Sequence, residues 1–345
     1  MKIHYIPNFL ICSLLIILIN QTSFAGRADK SGTAAAPQLL IPVGPRMIAL
    51  NGTSISTVSG IEALYWNPAG VTKSSRESNA TFSHLSYLAD VGVDYLAVSS
   101  AFEGLGTLGL SIKSISFGDI PVTTEEQPDG TGELTSPTFF TLGVTFAKQL
   151  ADRVSIGITL NHITEKMERA SAAGIAFNVG VQYSGVGGVD GLSLGVVVKN
   201  IGPQMQYDGT GLLRAGSIDD LGFTGSLYQL NAASAELPST MELGLGYAKS
   251  FDESNSLSVS GMFQNNNFSD DEYKIGLEYS YSDLLFLRGG YSQAAKTTEL
   301  ESIYGETYGI GFHKNLGDVD LSIDYAYRAA DYFGGNHVFG IILGF

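Results

Sequence analysis

One stretch of the chain decides the fold, and it reads Val154-Ser155-Ile156-Gly157-Ile158-Thr159-Leu160-Asn161. Apolar residues stand at every second position, and the residues between them are small or polar. Successive side chains of a β-strand point to opposite faces, so this alternation predicts a strand with one apolar face and one polar face. The same alternation recurs in 175–183, 273–281 and 321–328. We therefore predict an all-β protein.

The polar faces of these strands favour a membrane barrel over a soluble sandwich. They carry charged residues mixed with Gly, Ser and Ala, which is typical of the small or wet interior of a transmembrane barrel. The opposite faces carry Leu, Ile, Val, Phe and Tyr, as a lipid-facing band requires. The charged residues that we predict to face the lumen are Lys113, Lys199, Glu242, Lys274, Glu278, Arg288, His313, Asp324 and Arg328.

Strand counting supports the same class of protein. From Thr81 onward the pattern indicates about 14 antiparallel strands of about 8 to 13 residues, which suits an outer-membrane barrel. The predicted strands begin near residues 81, 94, 107, 138, 154, 173, 192, 240, 255, 271, 284, 306, 319 and 336. Connections after even-numbered strands are mostly short, whereas those after odd-numbered strands include 118–137 and 202–239. Short periplasmic turns and long outer loops are the pattern of such barrels.

Two further predictions concern the number of strands and the residue at which the mature protein starts. The segment 222–237 has room for a further hairpin, which would raise the number of strands. At the amino terminus, an apolar run at 9–19 is followed by small residues at Ser23 and Ala25, which is the pattern of a secretory signal peptide. The run is shorter than the roughly 20 residues of a membrane-spanning helix. We expect residues 1–25 to be removed.

Composition excludes several classes of function. The only cysteine, Cys12, lies in the predicted signal peptide, so the mature chain can form neither a disulfide nor a cysteine-ligated metal site. A formal net charge of −15 argues against nucleic acid as a partner. The five histidines show no metal-ligand spacing. The pattern Gly191-Leu192-Ser193-Leu194-Gly195 matches a nucleophile elbow but begins a strand, where an elbow needs a strand-to-helix turn. We expect no catalytic residue, cofactor or metal.

Residues 26–78 do not alternate and precede the predicted barrel, which occupies 79–345. They are rich in Ala, Gly, Ser and Pro, and they read as short helical or irregular pieces. A disordered periplasmic tail is the alternative, but apolar residues such as Ile55 and Leu64 are too numerous to be left in water. We therefore predict that this segment, the plug segment, fills the lumen.

A motif in the plug segment resembles a known family. Gly44-Pro45-Arg46 is followed by Ala63-Leu64-Tyr65-Trp66-Asn67-Pro68-Ala69-Gly70-Val71. These residues look like the amino-terminal signature of the PorV/PorQ family, a branch of the FadL-like outer-membrane barrels. The residues that carry the likeness are Arg46, Trp66, Asn67, Pro68, Ala69 and Gly70.

The motif also has a purely structural interpretation. Pro68 has a fixed φ and disfavours the helical region for Asn67, whose side chain can bond nearby backbone. Gly70 permits a turn. We therefore expect a rigid turn that fixes the plug segment to the first strand, while direct contact with a ligand stays open as the alternative.

The family resemblance implies a component of the type IX secretion system, located in the cell outer membrane. It would receive cargo that carries a carboxy-terminal signal domain, by binding and not by catalysis. Expected partners are secretion-system proteins, the secreted cargo, the barrel assembly machinery and outer-membrane lipid. The alternative is a FadL-type channel for hydrophobic small molecules with the plug segment as its gate. A greasy pocket beside the plug segment would favour the channel, and a polar lumen would favour secretion.

The last predicted strand carries a further signal. Phe339, Ile341, Leu343 and Phe345 alternate with other residues up to a terminal Phe. This resembles the signature by which outer-membrane barrels are handed to their assembly machinery.

Replacing Phe345 by a polar residue should therefore lower the folded fraction in the outer membrane while synthesis continues, because the assembly machinery would lose its recognition residue. Quantifying the folded and total protein in membrane fractions checks this. An unchanged outer-membrane level would show that the terminal Phe is not read.

Overall fold

The computed structural model describes residues 30–218, 223–295 and 303–345, so the predicted signal peptide lies outside the described residues. Fourteen antiparallel strands close into one barrel, in which the first strand pairs with the last. Closure pairs the backbone of every barrel strand on both sides, which a membrane requires because lipid offers no hydrogen bonds. The predicted all-β barrel of about 14 strands is confirmed.

The observed strands begin close to their predicted positions. The barrel strands are β1 (Ser78–Ser86), β2 (Gly92–Phe102), β3 (Gly106–Ser116), β6 (Thr138–Ala151), β7 (Val154–Met167), β8 (Ala170–Ser184), β9 (Leu192–Ile201), β12 (Thr240–Ser250), β13 (Asn255–Asn266), β14 (Glu272–Tyr281), β15 (Leu285–Ala294), β16 (Tyr304–Asn315), β17 (Asp320–Ala330) and β18 (Asn336–Gly344). Two hairpins lie apart from the barrel sheet: β4 (Ile120–Pro121) with β5 (Leu134–Thr135), and β10 (Leu213–Ile218) with β11 (Phe223–Gln229).

The hairpin β10–β11 answers the question that the sequence left open at 222–237. A hairpin does form there, but it starts earlier in the chain and pairs Leu213 with Gln229. Neither of its strands joins the barrel sheet. The barrel therefore keeps fourteen strands.

The alternation of residues 154–161 is seen directly in the burial of the β7 side chains. Ile156 on the outer wall is 38% exposed, whereas Ser155 on the inner wall is 1% exposed. Ile158 and Leu160 are likewise exposed, and Thr159 is buried. The wall of the barrel is thus apolar outside and small or polar inside, the inverse of a soluble protein.

The two ends of the barrel differ in their connections. The longest ones, 117–137 and 202–239, leave the barrel at the same end, here called the loop end. The opposite end, here called the turn end, has short connections such as 103–105 and 152–153. Asn79 pairs with Gly344, so the first strand of the barrel begins, and the last strand ends, at the turn end.

The plug segment consists of short helices. They are the α-helices Pro45–Ala49 and Ala63–Trp66 and the 3-10 helices Pro37–Leu40, Thr53–Ser56, Gly60–Glu62 and Pro68–Lys73. Short 3-10 helices also stand in the connections, at Leu88–Asp90, Val186–Gly188 and Thr210–Leu212. Among the described residues, no helix has the length and hydrophobicity needed to cross a membrane.

The plug segment runs through the lumen from the loop end to the turn end. At the loop end, Lys30 Nζ lies 3.2 Å from Glu236 Oε2, and the Ala35 amide donates to the Glu236 carbonyl. At the turn end, Lys73 Nζ donates to Ser184 Oγ at 2.9 Å. Between them, Met47 and Leu64 are buried in a core that includes Ile115 of the barrel wall. The largest apolar cluster therefore lies between the plug segment and the strands.

This path predicts that residues near Lys30 face the cell exterior, because the loop end of such barrels points outward. A cysteine at Ser31, which is exposed, should react with a membrane-impermeant maleimide on intact cells. A cysteine at the exposed turn residue Asp318 is the matched control and should react only after permeabilisation. Labelling of Asp318→Cys but not Ser31→Cys on intact cells would contradict this topology.

Candidate functional site

Glycines of the barrel wall stand where the plug segment comes closest. A Cβ added to Gly157 would lie 2.3 Å from the carbonyl carbon of Pro68, and one added to Gly180 would lie 2.0 Å from Asn67 Oδ1. No side chain fits in such a gap, so the plug segment packs directly on strand backbone. The strand glycines whose added Cβ would lie within 3 Å of residues 45–69 are Gly109, Gly157, Gly180, Gly195, Gly244, Gly246, Gly276, Gly290, Gly309 and Gly340. We call this set the glycine belt.

The glycine belt explains the high glycine content of the chain. Glycine accounts for 42 of the 345 residues, a share well above the roughly 7% that is usual. Gly157 occupies an inward-facing position of the stretch 154–161, between Ile156 and Ile158. Glycine recurring at inward positions of many strands was the available signal for a plug packed on backbone.

The Trp-Asn-Pro motif holds the plug segment together and ties it to β8. Asn67 is fully buried, and its Nδ2 donates to the carbonyls of Ile55 at 2.7 Å and Val181 at 3.2 Å. Its Oδ1 accepts from the Ala69 amide, and Trp66 Nε1 donates to the Val43 carbonyl at 3.0 Å. The expectation that this turn fixes the plug segment to the first strand is wrong, since it packs on β7 and β8.

Gly70 has a different role from the one we expected. Its φ is not positive, so it does not supply a turn that only glycine can form. A Cβ added to Gly70 would instead lie 2.1 Å from the Val58 carbonyl oxygen. Glycine is required here because two parts of the plug segment approach closely.

Arg46 begins a chain of charges that crosses from the plug segment to three strands. Its guanidinium donates to both oxygens of Glu278, at 2.9 and 3.0 Å, and to Glu62 at 3.2 Å. Glu278 also accepts from Arg288 at 2.6 Å, and Arg288 pairs with Asp324. Glu278 raises the pKa of the Arg46 guanidinium, while burial raises the pKa of the Glu62 carboxyl against the opposing effect of Arg46. Negative and positive side chains therefore alternate along this series, from Glu62 to Asp324.

Of the other predicted lumen residues, His313 lies near the turn end, and the rest lie toward the loop end. Lys199 Nζ pairs with Glu242 at 3.0 Å, and Lys274 Nζ pairs with Glu272 at 2.8 Å. The guanidinium of Arg328 lies 3.4 Å from the centroid of the Tyr304 ring. Lys113 Nζ donates to the carbonyls of two plug residues, Gln38 and Ile41.

Two larger cavities lie against the plug segment. The one at the loop end has a volume of about 330 Å³ and is lined both by charged groups such as Lys274 and Arg328 and by apolar groups such as Leu39 and Trp66. The one at the turn end has a volume of about 290 Å³ and is lined by Arg46 among others. At the loop end the strands contribute polar groups as expected and the plug segment adds the apolar surface. At the turn end the strands also contribute apolar groups, such as Phe286 and Ile342. In the described part of the chain, no three His, Cys, Asp or Glu side chains group to hold a metal ion.

The residues of the predicted assembly signal lie on β18 and just after it. Phe339, Ile341 and Phe345 are exposed on the outer wall, and Leu343 is partly buried. The Phe345 amide donates to the Ser78 carbonyl at 2.8 Å, which continues the pairing that closes the barrel.

The fold and the lumen define the class of this protein: a fourteen-stranded barrel of outer-membrane type, closed by its own amino-terminal segment. Similar solved structures are the Pseudomonas putida toluene transporter TodX (TM-score 0.55, 14% identity, covering 88% of this chain and 97% of that one) and a Pseudomonas aeruginosa FadL homologue (TM-score 0.50, 12% identity, covering 88% and 98%). At such identities the likeness concerns the fold alone, which is that of the FadL-like barrels.

Sequence comparison identifies the family. Residues 24–267 match the family described as "Type IX secretion system protein PorV". This match spans more than half of the chain, so the protein belongs to the PorV family. None of the curated proteins matches the chain.

The glycine belt predicts that a single added methyl group is harmful on one face of β15 and harmless on the other. In Gly290→Ala the new Cβ would lie 2.8 Å from the carbonyl carbon of Leu50, whereas in Gly289→Ala it would have 3.8 Å of clearance. We expect the first change to lower the free energy of unfolding by about 1–3 kcal/mol, as overpacking does. Urea unfolding in detergent micelles measures both. Equal stability of the two variants would contradict close packing of the plug segment.

Proposed function

We propose that this protein serves type IX secretion by binding secreted cargo at its loop end, and that no solute passes through its lumen. Membership of the PorV family supports a place in that secretion system. The resemblance implies cargo with a carboxy-terminal signal domain. The role is binding and not catalysis, in the outer membrane, with the loop end outside.

The observation that carries this proposal is the fixed plug segment. It lies on strand backbone along the glycine belt, so it cannot shift without leaving unfilled space next to many strands. It is also bound through Arg46 to Glu278. Moving the plug segment would leave both of these partly buried charges without their partner, which is unfavourable. A plug held in this way is a poor gate, and this supports a function at the surface of the barrel.

The loop end offers a surface that a partner can recognise. Leu134 in the hairpin β4–β5 is 62% exposed, and Leu227 in the hairpin β10–β11 is 70% exposed. Each hairpin pairs only within itself, so each has strand edges whose backbone groups can accept a strand from a partner. Apolar side chains beside open strand edges are typical of protein-binding sites.

One observation favours a second candidate function. The cavity of about 330 Å³ at the loop end combines apolar plug residues with Arg328, and would suit a hydrophobic small molecule with a polar group. The structurally similar TodX is described as a toluene transporter. Under this alternative the plug segment would have to move for the molecule to pass.

Locking the plug segment separates the two functions. Ser54 Oγ in the plug segment lies 3.2 Å from Ser260 Oγ in β13, so Ser54→Cys with Ser260→Cys places two sulfurs at bonding range. We expect the oxidised double variant to secrete cargo with carboxy-terminal signal domains as well as wild type does, since no plug movement is needed. Each single variant, and the reduced double variant, are the controls. Loss of secretion on oxidation, restored by reduction, would contradict a fixed plug segment. Normal secretion by the oxidised variant together with a redox-dependent loss of uptake of a hydrophobic compound would favour the channel.

A second arm of the same experiment tests the loop end. We expect Leu134→Ser with Leu227→Ser to leave the barrel folded but to strand cargo in the periplasm, because the exposed apolar contacts are lost. Leu316→Ser makes the same chemical change at the turn end, where Leu316 is also exposed, and should leave secretion unchanged. Normal secretion by the loop variant, measured as cargo outside the cell, would remove these hairpins from the proposed site.

A further inference from the structure

A buried lysine in the part of the lumen near the loop end has no carboxylate partner among the described residues. Lys113 of β3 is 4% exposed, and its Nζ donates to the carbonyls of Gln38 at 2.7 Å and Ile41 at 3.1 Å. Within the described residues, no carboxylate oxygen lies within 4.0 Å of this nitrogen. Two carbonyl oxygens use two of the three N–H groups of an ammonium, which leaves one donor and, in the protonated state of the lysine, one positive charge without a partner.

A second ammonium group lies on the same aromatic ring. Lys113 Nζ is 4.8 Å from the centroid of the Tyr65 ring, and Lys199 Nζ is 5.3 Å from it. Glu242 pairs with Lys199. The pair of lysines therefore has a single carboxylate, and an uncompensated buried charge is costly.

The space beside these lysines is small and rich in donors. It has a volume of about 30 Å³ and is lined by both lysines together with Ser111, Thr141, Asn161 and Asn178 among others, while no carboxylate of the described residues lines it. The hydroxyl of Thr141 is buried and has no hydrogen-bond partner in the described part of the chain. A single water needs about 10–15 Å³ when cavities are measured in this way, so one slightly larger ion also fits.

We propose that this cavity binds one monovalent inorganic anion of the size of chloride. The anion accepts from Lys113 and Thr141 and supplies the missing negative charge. It thereby joins β3 and β6 to the plug residues that Lys113 holds. Water would satisfy the hydrogen bonds but not the charge. This site is independent of the binding role proposed for the loop end.

Bromide is the direct probe, because it replaces chloride and scatters X-rays anomalously. Crystals of the full mature chain grown in sodium bromide should show an anomalous peak in the cavity beside Lys113. The peak should disappear in Lys113→Met. A wild-type cavity without an anomalous peak would overturn the proposal.

Thermal unfolding in detergent covers the case in which Lys113→Met does not fold. We expect the wild-type midpoint to be higher in sodium chloride than in sodium gluconate at equal ionic strength, since gluconate is too large for the cavity. Thr141→Val should reduce this difference. Thr145→Val is the matched control on the same face of β6, because its hydroxyl bonds Thr159 at 2.8 Å instead, and it should keep the full difference. Equal midpoints of wild type in both salts would overturn the site.

Discussion

The structure depends on contact between the plug segment and bare strand backbone. Gly157 and Gly180 face each other on β7 and β8, and Pro68 and Asn67 fill the space that their side chains would occupy. An interior lined by larger residues on these strands would leave no room for a segment of several short helices. The small inward residues are therefore the reason that one chain can build both a barrel and the element that closes it.

Charge pairing is the second consequence of filling the lumen. Arg46 is partly buried in the lumen, where Glu278 and Glu62 balance its charge. Near the loop end, cations and carboxylates do not balance so closely, and Lys113 is held by carbonyl groups alone. Some charged residues of the lumen, such as Glu278 and Lys113, thus bind the plug segment, while others pair between strands, as Arg288 does with Asp324.

These contacts bear on how a member of the PorV family can work. A lumen occupied by a bonded segment leaves the two ends and the outer wall of the barrel as the surfaces that other molecules can reach. The two hairpins at the loop end, with Leu134 and Leu227 exposed, are built outside the barrel sheet and are free of the constraints that closure imposes. The surface of the loop end can therefore vary while the barrel and its plug segment keep one packing.

The sequence by itself determined the strand pattern, because side chains of a strand alternate between two faces and the membrane inverts which face is apolar, as at Ile156 and Ser155. It also indicated that residues such as Lys274 and Arg328 face the lumen. Only the tertiary structure decided which charges meet, since Arg46 and Glu278 are 232 positions apart and no local pattern relates them. For the same reason, the sequence did not predict the strands against which the turn at Asn67 packs. Its place against β7 and β8, and not β1, follows from the path of the plug segment through the closed barrel, which is a property of the whole chain.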